Sequence, residues 1–338
     1  PERAGRVFVL PTSPPRVADF LLSALAGAKG LALRTATELT RAELDPSGRR
    51  DARLAFRDGA HLSAGIVIDT SGDGVSAPCA GADAELAPAE ELQASSFIVE
   101  LAGVAPSATE GFARLKLTRA LSGASRRGAL PAACESVLVR PGLTTGSAYL
   151  TLNLPKEAVA LLHPERRRAA TQAAKALAER IVSHLRETRE SFADARVAAW
   201  PVHVGVRETR RLRGRTCVSE ADVLEGRTRD DEVARSGWPV ELWEDHRRAR
   251  FSYPSGPCSV PWGALISDSF PNLGTAGRCL SATHAAHAAL RVIGTALATG
   301  EAIGVGAALA CDAGASLPEI APATIRARIR HAASRGWP

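Results

Sequence analysis

From Asn272 to Ala310 the chain reads NLGTAGRCLSATHAAHAALRVIGTALATGEAIGVGAALA, and this stretch constrains the fold more than any other. A short apolar segment delivers Gly277 and Arg278. A polar loop with Ser281, Thr283 and His284 follows, and Arg291 leads into a helix of Ala and Gly. Gly277 has no Cβ, so backbone there can pass close to a ligand or take positive φ. Arg278 presents a planar fork of donors suited to phosphate oxygens. A helix starting near Arg291 to Thr295 aims unpaired N–H groups and a positive dipole end at whatever lies before it. Together these features suit a site where backbone approaches a flat, charged cofactor.

The 338 residues suffice for one large or two ordinary domains. Aromatic residues make up only 4% of the chain, which disfavours a surface that stacks on many bases. The net charge of +6 has two readings. Of the 42 basic residues only Lys29, Lys116, Lys156 and Lys175 are lysine. That imbalance reads as genomic composition bias, against the alternative of a basic surface built for nucleic acid. The six cysteines are scattered without a CxxC pair, which argues against zinc ribbons, iron–sulfur ligation and a small disulfide scaffold. Reduced thiols in a cytoplasmic protein are the expectation. The most apolar window, 288–311, contains Arg291 and Glu301, so a packed helix is expected there and not a membrane span. Methionine is absent, so the chain reads as a fragment or a processed product.

Along the chain, residues 6–10 read as a strand, and Pro14–Pro15 open a helix with Val17, Phe20, Leu21 and Leu25 on one face. Residues 31–39 read as a strand, followed by hairpin or neighbouring strands at 54–57 and 61–69. The Ile66–Val67–Ile68 run suits a central strand covered on both faces, as in α/β sheets. The turn Thr70–Gly74 follows at its carboxyl end, where open α/β folds place ligands. Strands are expected at 97–101, 136–140 and 148–154, and helices at 112–122 and 165–188. The last of these carries an apolar stripe of Ala170, Ala174, Leu177, Ile181 and Leu185. Ser219 with Asp222 forms a capping-box pattern, and Gly226 and Gly237 read as helix stops. Residues 87–254 thus read as a sheet-plus-helix block inserted between 1–86 and 255–315, with a tail helix over 316–338.

The strand-turn IVIDTSGDG can bring backbone amides to a phosphate, although such turns also occur without a ligand. Gly304–Val305–Gly306 lies inside a helix, so close helix packing explains it better than a dinucleotide fingerprint. The run containing Arg207, Glu208, Arg210 and Arg211 is either a solvated face or an anion-binding site. Asp73, His203 and His284 are candidate acids or bases or ordinary structural residues. No GxSxG, HExxH or P-loop is present, and no metal site is read from the sequence.

Taken together, three elements resemble FAD-dependent oxidoreductases similar to heterodisulfide reductase A subunits. IVIDTSGDG followed by Ala80–Gly81–Ala82 resembles that family's VIDATGDGD…AG element. GVRETRRLRG with CVSEADVLEGR resembles its GxRExRRIxG…LTxEDVxxGR element. The segment from Leu273 to Ala310 resembles its VAGRxISATHEA…RVxxTxxxxGQAAGxAAAL ending. The resemblance implies an α/β fold: a Rossmann-like, glutathione-reductase-type FAD domain over 1–86 and 255–315, with an inserted α+β substrate domain over 87–254. It implies FAD as cofactor, with Thr70, Gly72 and Asp73 beside its pyrophosphate or ribose. Gly277, Arg278 and Ser281 would meet the ribityl-phosphate section, and Arg291, Val292 and Ile293 the pyrimidine edge of the ring. Arg207, Glu208, Arg210, Arg211 and His284 become the candidates on the side of a small, anionic substrate. The family's opening strand and GxGxxG turn do not appear before Ile66, which implies an FAD domain lacking its first βα unit. The resulting expectation is a cytoplasmic flavoprotein oxidoreductase fragment, with a partner subunit that binds no flavin as the competing reading.

Overall fold

The computed structural model describes residues 2–4, 7–154, 156, 160–245 and 247–334. Its contacts divide the chain into two units. The first comprises Pro1–Leu31, Pro88–Arg207 and Trp243–Ala249. The second comprises Ala32–Ala87, Glu208–Leu242 and Arg250–Pro338.

The first unit is built on a four-stranded antiparallel sheet in the order Arg196–Ala199, Ser95–Ala102, Ser147–Leu154, Leu138–Pro141. Ser95 pairs with Leu154, Phe97 with Leu152 and Val99 with Leu150. Strand alternation therefore turns Phe97, Val99, Leu101, Leu150 and Leu152 to one face, where all five are buried. The helices Ala113–Arg126 and Pro164–Thr188 supply Leu117, Leu121, Ile181 and Leu185 to the same core. Pro14–Gly27 is helical as its two prolines predict, but it contributes no buried residue. Phe20 is 68% exposed, so the expected core face of that helix is on the surface. The strand expected at 6–10 spans Val7–Val9, and Arg6 lies outside the described residues.

In the second unit, Leu39–Glu43, Ala52–Phe56 and His61–Ala64 form an antiparallel meander. The strand expected at 31–39 is absent, and pairing begins only at Leu39. Val67–Asp69 pairs in parallel with Leu273–Thr275, a two-stranded arrangement among the described residues and not the interior of a wide sheet. Gly237 follows the strand Glu232–Ser236, so it stops no helix. Ser219 and Asp222 do form the reciprocal capping box of helix Glu220–Glu225, which ends at Gly226 in the left-handed conformation.

The long helix Ile293–Ala313 buries Ala302, Ile303, Gly306, Ala307 and Ala310. A Cβ at Gly306 would lie 2.3 Å from Trp262 Cη2, and Trp262 Nε1 donates to the Leu317 carbonyl at 3.1 Å. Gly306 thus serves helix packing. By length and composition alone this helix could cross a membrane, but its inward face belongs to the core cluster around Trp262 and Leu265. The tail forms a short 3-10 turn, Leu317–Glu319, then the helix Pro322–Ser334. All six cysteines are free thiols.

Candidate functional site

Parallel pairing puts the carboxyl ends of Val67–Asp69 and Leu273–Thr275 at the same edge, so the loops that follow both strands meet there. Asp69 organises the first loop. Its Oδ1 accepts from Ser71 N at 3.0 Å and Ser71 Oγ at 2.6 Å. Its Oδ2 accepts from Ser76 N at 2.8 Å and Ser76 Oγ at 2.7 Å. Four donors satisfy a carboxylate that is nearly fully buried, which fixes the loop backbone. Gly72 and Gly74 sit at φ 74° and 61°, the left-handed region that favours glycine.

The second loop closes on the first. A Cβ at Gly72 would stand 2.7 Å from Arg278 Nη2, so the guanidinium lies across the glycine backbone. The same nitrogen donates to Asp73 Oδ1 at 3.0 Å. Thr209 Oγ1 lies 3.1 Å from both the Gly72 carbonyl and Asp73 Oδ1, and Arg210 Nη1 donates to the Asp73 carbonyl at 3.4 Å. Gly277, at φ 64°, donates from its amide to Thr299 Oγ1 at 3.1 Å. Its hypothetical Cβ would be 3.3 Å from that of Ala296, which ties the loop to the first turns of the Ile293–Ala313 helix. Cys279 accepts from the Gly74 amide at 3.3 Å. Burial, reinforced by the charge of Asp69, pushes this thiol up to about 11, so it is a packing group and not a nucleophile.

The sequence predicts one helix starting at about Arg291, with His284 in a loop. The structure instead opens a separate helix, His284–Leu290, whose N-cap Thr283 accepts from Ala286 N at 3.4 Å. The alanines of HAAHAAL favour helix, and the cap sets its start. The chain then breaks at Arg291–Val292. Val292 is extended, and no side chain caps the helix that follows. Ile293 is 69% exposed and nothing lies within 4 Å of where a Gly294 Cβ would stand, so this side of the 21-residue helix's uncapped first turn is open. Arg291 donates to the Glu241 carbonyl at 3.2 Å.

Glu208 is fully buried and takes hydrogen bonds from Arg211 Nη1 and from His284 Nδ1, the latter at 2.9 Å. Burial alone raises its carboxyl, but the His284 hydrogen bond and the Arg211 charge outweigh it and hold the pKa below the ordinary carboxylate value. A carboxylate orienting a partly exposed imidazole through Nδ1 leaves Nε2 to exchange protons with a bound molecule.

His287, on the same helix, is also fully buried, and its Nε2 donates to the Arg278 carbonyl at 3.0 Å. Burial lowers it to about 3, with Arg211 and Arg291 acting in the same direction against the opposing charge of Glu208. An unfolded His287 binds a proton near its ordinary value of 6.5, whereas the folded one stays neutral until about pH 3. Its stabilising contribution is therefore complete above pH 6.5 and is lost as pH falls toward 3. Between pH 7 and pH 5 this group should remove about 2 kcal/mol from unfolding stability. A His287→Phe variant should lack that increment in urea titrations at the two pH values. An unchanged pH dependence would show that His287 is protonated in the folded chain.

Of the residues singled out from the sequence, Gly72, Asp73, Gly277, Arg278 and Arg210 form one cluster, and Glu208, Arg211 and His284 form another, all in the second unit. Thr70 is exposed at the end of its strand. Ser281 is buried, bonding through its backbone to Ala264 and Val218. Arg207 is not gathered with its neighbours in sequence. It belongs to the first unit, where it donates to the Ala94 carbonyl and to Asn153 Oδ1 at 3.0 Å and stacks 4.4 Å from the Trp243 ring centroid. The division between units falls between Arg207 and Glu208. Asp69, Cys279 and His287 were not among the candidates the sequence offers. For Asp69 a signal existed, since serines follow it at two and seven residues, the spacing of its donors.

The profile of the FAD dependent oxidoreductase family matches residues 2–329, and the chain belongs to that family, whose cofactor is FAD. Among solved structures, the myxobacterial chondrochloren halogenase CndH, a variant of FAD-dependent halogenases, is 13% identical over 92% of this chain and 53% of that one, with a TM-score of 0.37. Halogenase PltM is 14% identical over 59% of this chain and 38% of its own, at a TM-score of 0.30. The Diels-Alderase PyrE3 is 14% identical over 36% and 22%, at 0.22. The chain thus spans about half or less of the length of these structures, and no curated protein matches it.

Proposed function

We propose that the chain is an oxidoreductase that passes a hydride or an electron pair between a small molecule and FAD, held at the paired loops of the second unit in a Rossmann-like arrangement. The observation that carries this reading is the meeting of the Thr70–Gly74 turn with Gly277–Arg278 at the carboxyl edge of a parallel pair, tied to the uncapped start of a long helix. Gly72, Gly74 and Gly277 all take left-handed backbone, and Gly72 lies flat beneath a guanidinium. These features fit a nucleotide that needs close backbone approach and anion-binding groups. Arg278, already clasped by Asp73, would turn part of its fork to the ribityl-phosphate section. Thr70 and the Gly72–Asp73 backbone would border the pyrophosphate or ribose. The uncapped amides at Val292 and Ile293 would face the pyrimidine edge, where a helix dipole stabilises negative charge. When bound, FAD supplies the acceptor or donor of the electron pair. His284, oriented by Glu208 and Arg211, would take up or return the accompanying proton at Nε2. Arg210, beside Asp73, would favour an anionic substrate. Arg207 would act through the first unit, by ordering Asn153 and Trp243.

Replacing Arg278 by Ala should weaken FAD affinity roughly 10- to 100-fold, the loss expected for charge-assisted hydrogen bonds. Quenching of FAD fluorescence on titration with purified protein measures it, and far-UV circular dichroism checks folding. Unchanged affinity in the variant, or no FAD uptake by the parent chain, would contradict the assignment.

A further inference from the structure

We propose that the first unit binds a small apolar molecule carrying one oxygen, such as a monocyclic phenol or a short branched acyl compound, in a cavity between its sheet and the Pro164–Thr188 helix. The cavity has a volume of 200 Å³ and is lined by Ser95, Ala133, Leu154, Leu161, Ala170, Ala173, Ala174 and Leu177.

The helix sequence explains why space remains there. Ala170, Ala173, Ala174 and Leu177 recur at helical spacing on one face, and Ile181 and Leu185 continue that face toward the carboxyl end. At the carboxyl end, branched side chains fill the gap to the sheet, and Ile181 and Leu185 are fully buried. At the amino end the same face carries only methyl groups. The sheet does not compensate. Ser95 and Leu154 are cross-strand partners at the edge of the inward face, and Ser95 stands where the alternation of Phe97, Val99 and Leu101 calls for a large apolar residue.

Ser95 provides the second observation. It has no solvent exposure, and its Oγ has no hydrogen-bond partner among the described residues. A buried hydroxyl left unpaired costs on the order of 1–3 kcal/mol, so its natural complement is an oxygen that the protein does not supply. The other described lining groups are alanine and leucine side chains, which offer a water few further partners. Ala173 is exposed and marks the mouth, while Ser95 and Leu161 lie deep. An apolar ring with one hydroxyl or carbonyl group therefore matches the site in size and polarity. For scale, engineered apolar cavities of about 150 Å³ take up benzene. This inference is independent of FAD and of the second unit.

Isothermal titration calorimetry of the full chain with phenol and with toluene tests it. Both should bind saturably at one site. Ser95→Ala should weaken phenol roughly 3- to 10-fold, one hydrogen bond's worth, and leave toluene unchanged. Ala173→Trp, a substitution at an exposed position, should weaken both at least about tenfold by closing the mouth. Absence of saturable binding to the parent chain, unchanged binding in Ala173→Trp, or equal effects of Ser95→Ala on the two compounds would each overturn the proposal.

Discussion

Replacing Glu208 by Ala is expected to lower the unfolding free energy by about 3–5 kcal/mol, the loss typical when one member of a buried ion pair is removed. Arg211 explains the size. Its side chain is only 5% exposed, and without Glu208 it would retain the Ala282 carbonyl at 2.9 Å and the Glu85 carboxylate at 3.7 Å. One guanidinium charge would be left with its closest counter-charge gone, and His284 would lose its orienting partner. Glu208→Gln keeps the shape and one acceptor oxygen, so it should cost less than the alanine variant. Urea titration followed by circular dichroism at pH 7 separates the three proteins. A loss below about 1 kcal/mol for Glu208→Ala would mean that Arg211 is adequately paired elsewhere.

Two glycines of one helix should respond in opposite directions. Gly306→Ala would place a methyl group 2.3 Å from Trp262 Cη2, and the hydrogen bond from Trp262 to Leu317 resists displacement of that ring. The expected cost is about 1–3 kcal/mol, the range for overpacking a filled core. Gly304 has nothing within 4 Å of where its Cβ would sit, so Gly304→Ala should stabilise by up to about 1 kcal/mol through helix propensity alone. Thermal denaturation of the two variants beside the parent gives the comparison. Equal shifts would remove the packing explanation for Gly306.

Much of the fold was legible where a local rule suffices. The 164–188 helix follows from its apolar period, and the capping box at Ser219 from two side chains three residues apart. The Thr70–Gly74 turn follows from glycines that must adopt positive φ. Features set by distant partners were not legible. Residues 31–38 read as a strand, yet among the described residues no strand pairs with them, and without a ladder the segment stays irregular. The apolar face of Pro14–Gly27 was readable, but nothing in the sequence showed that it would stay exposed. The Glu208–His284 contact joins residues 76 positions apart, which no spacing rule anticipates. The arginine run looked like a single patch, yet its first member anchors a different unit. The helix break at Arg291–Val292 was hidden because Ala-rich sequence continues on both sides of it.

The parallel pair has a further consequence for biosynthesis. Thr275 Oγ1 reaches the Asp69 carbonyl across 206 positions of sequence, so the earlier strand leaves the ribosome long before its mate exists. Residues 88–207, whose sheet pairs within itself, emerge in the interval and can consolidate first. Nascent chains stalled before Leu273 would expose an orphan edge at Val67–Asp69, the kind of surface that chaperones shield.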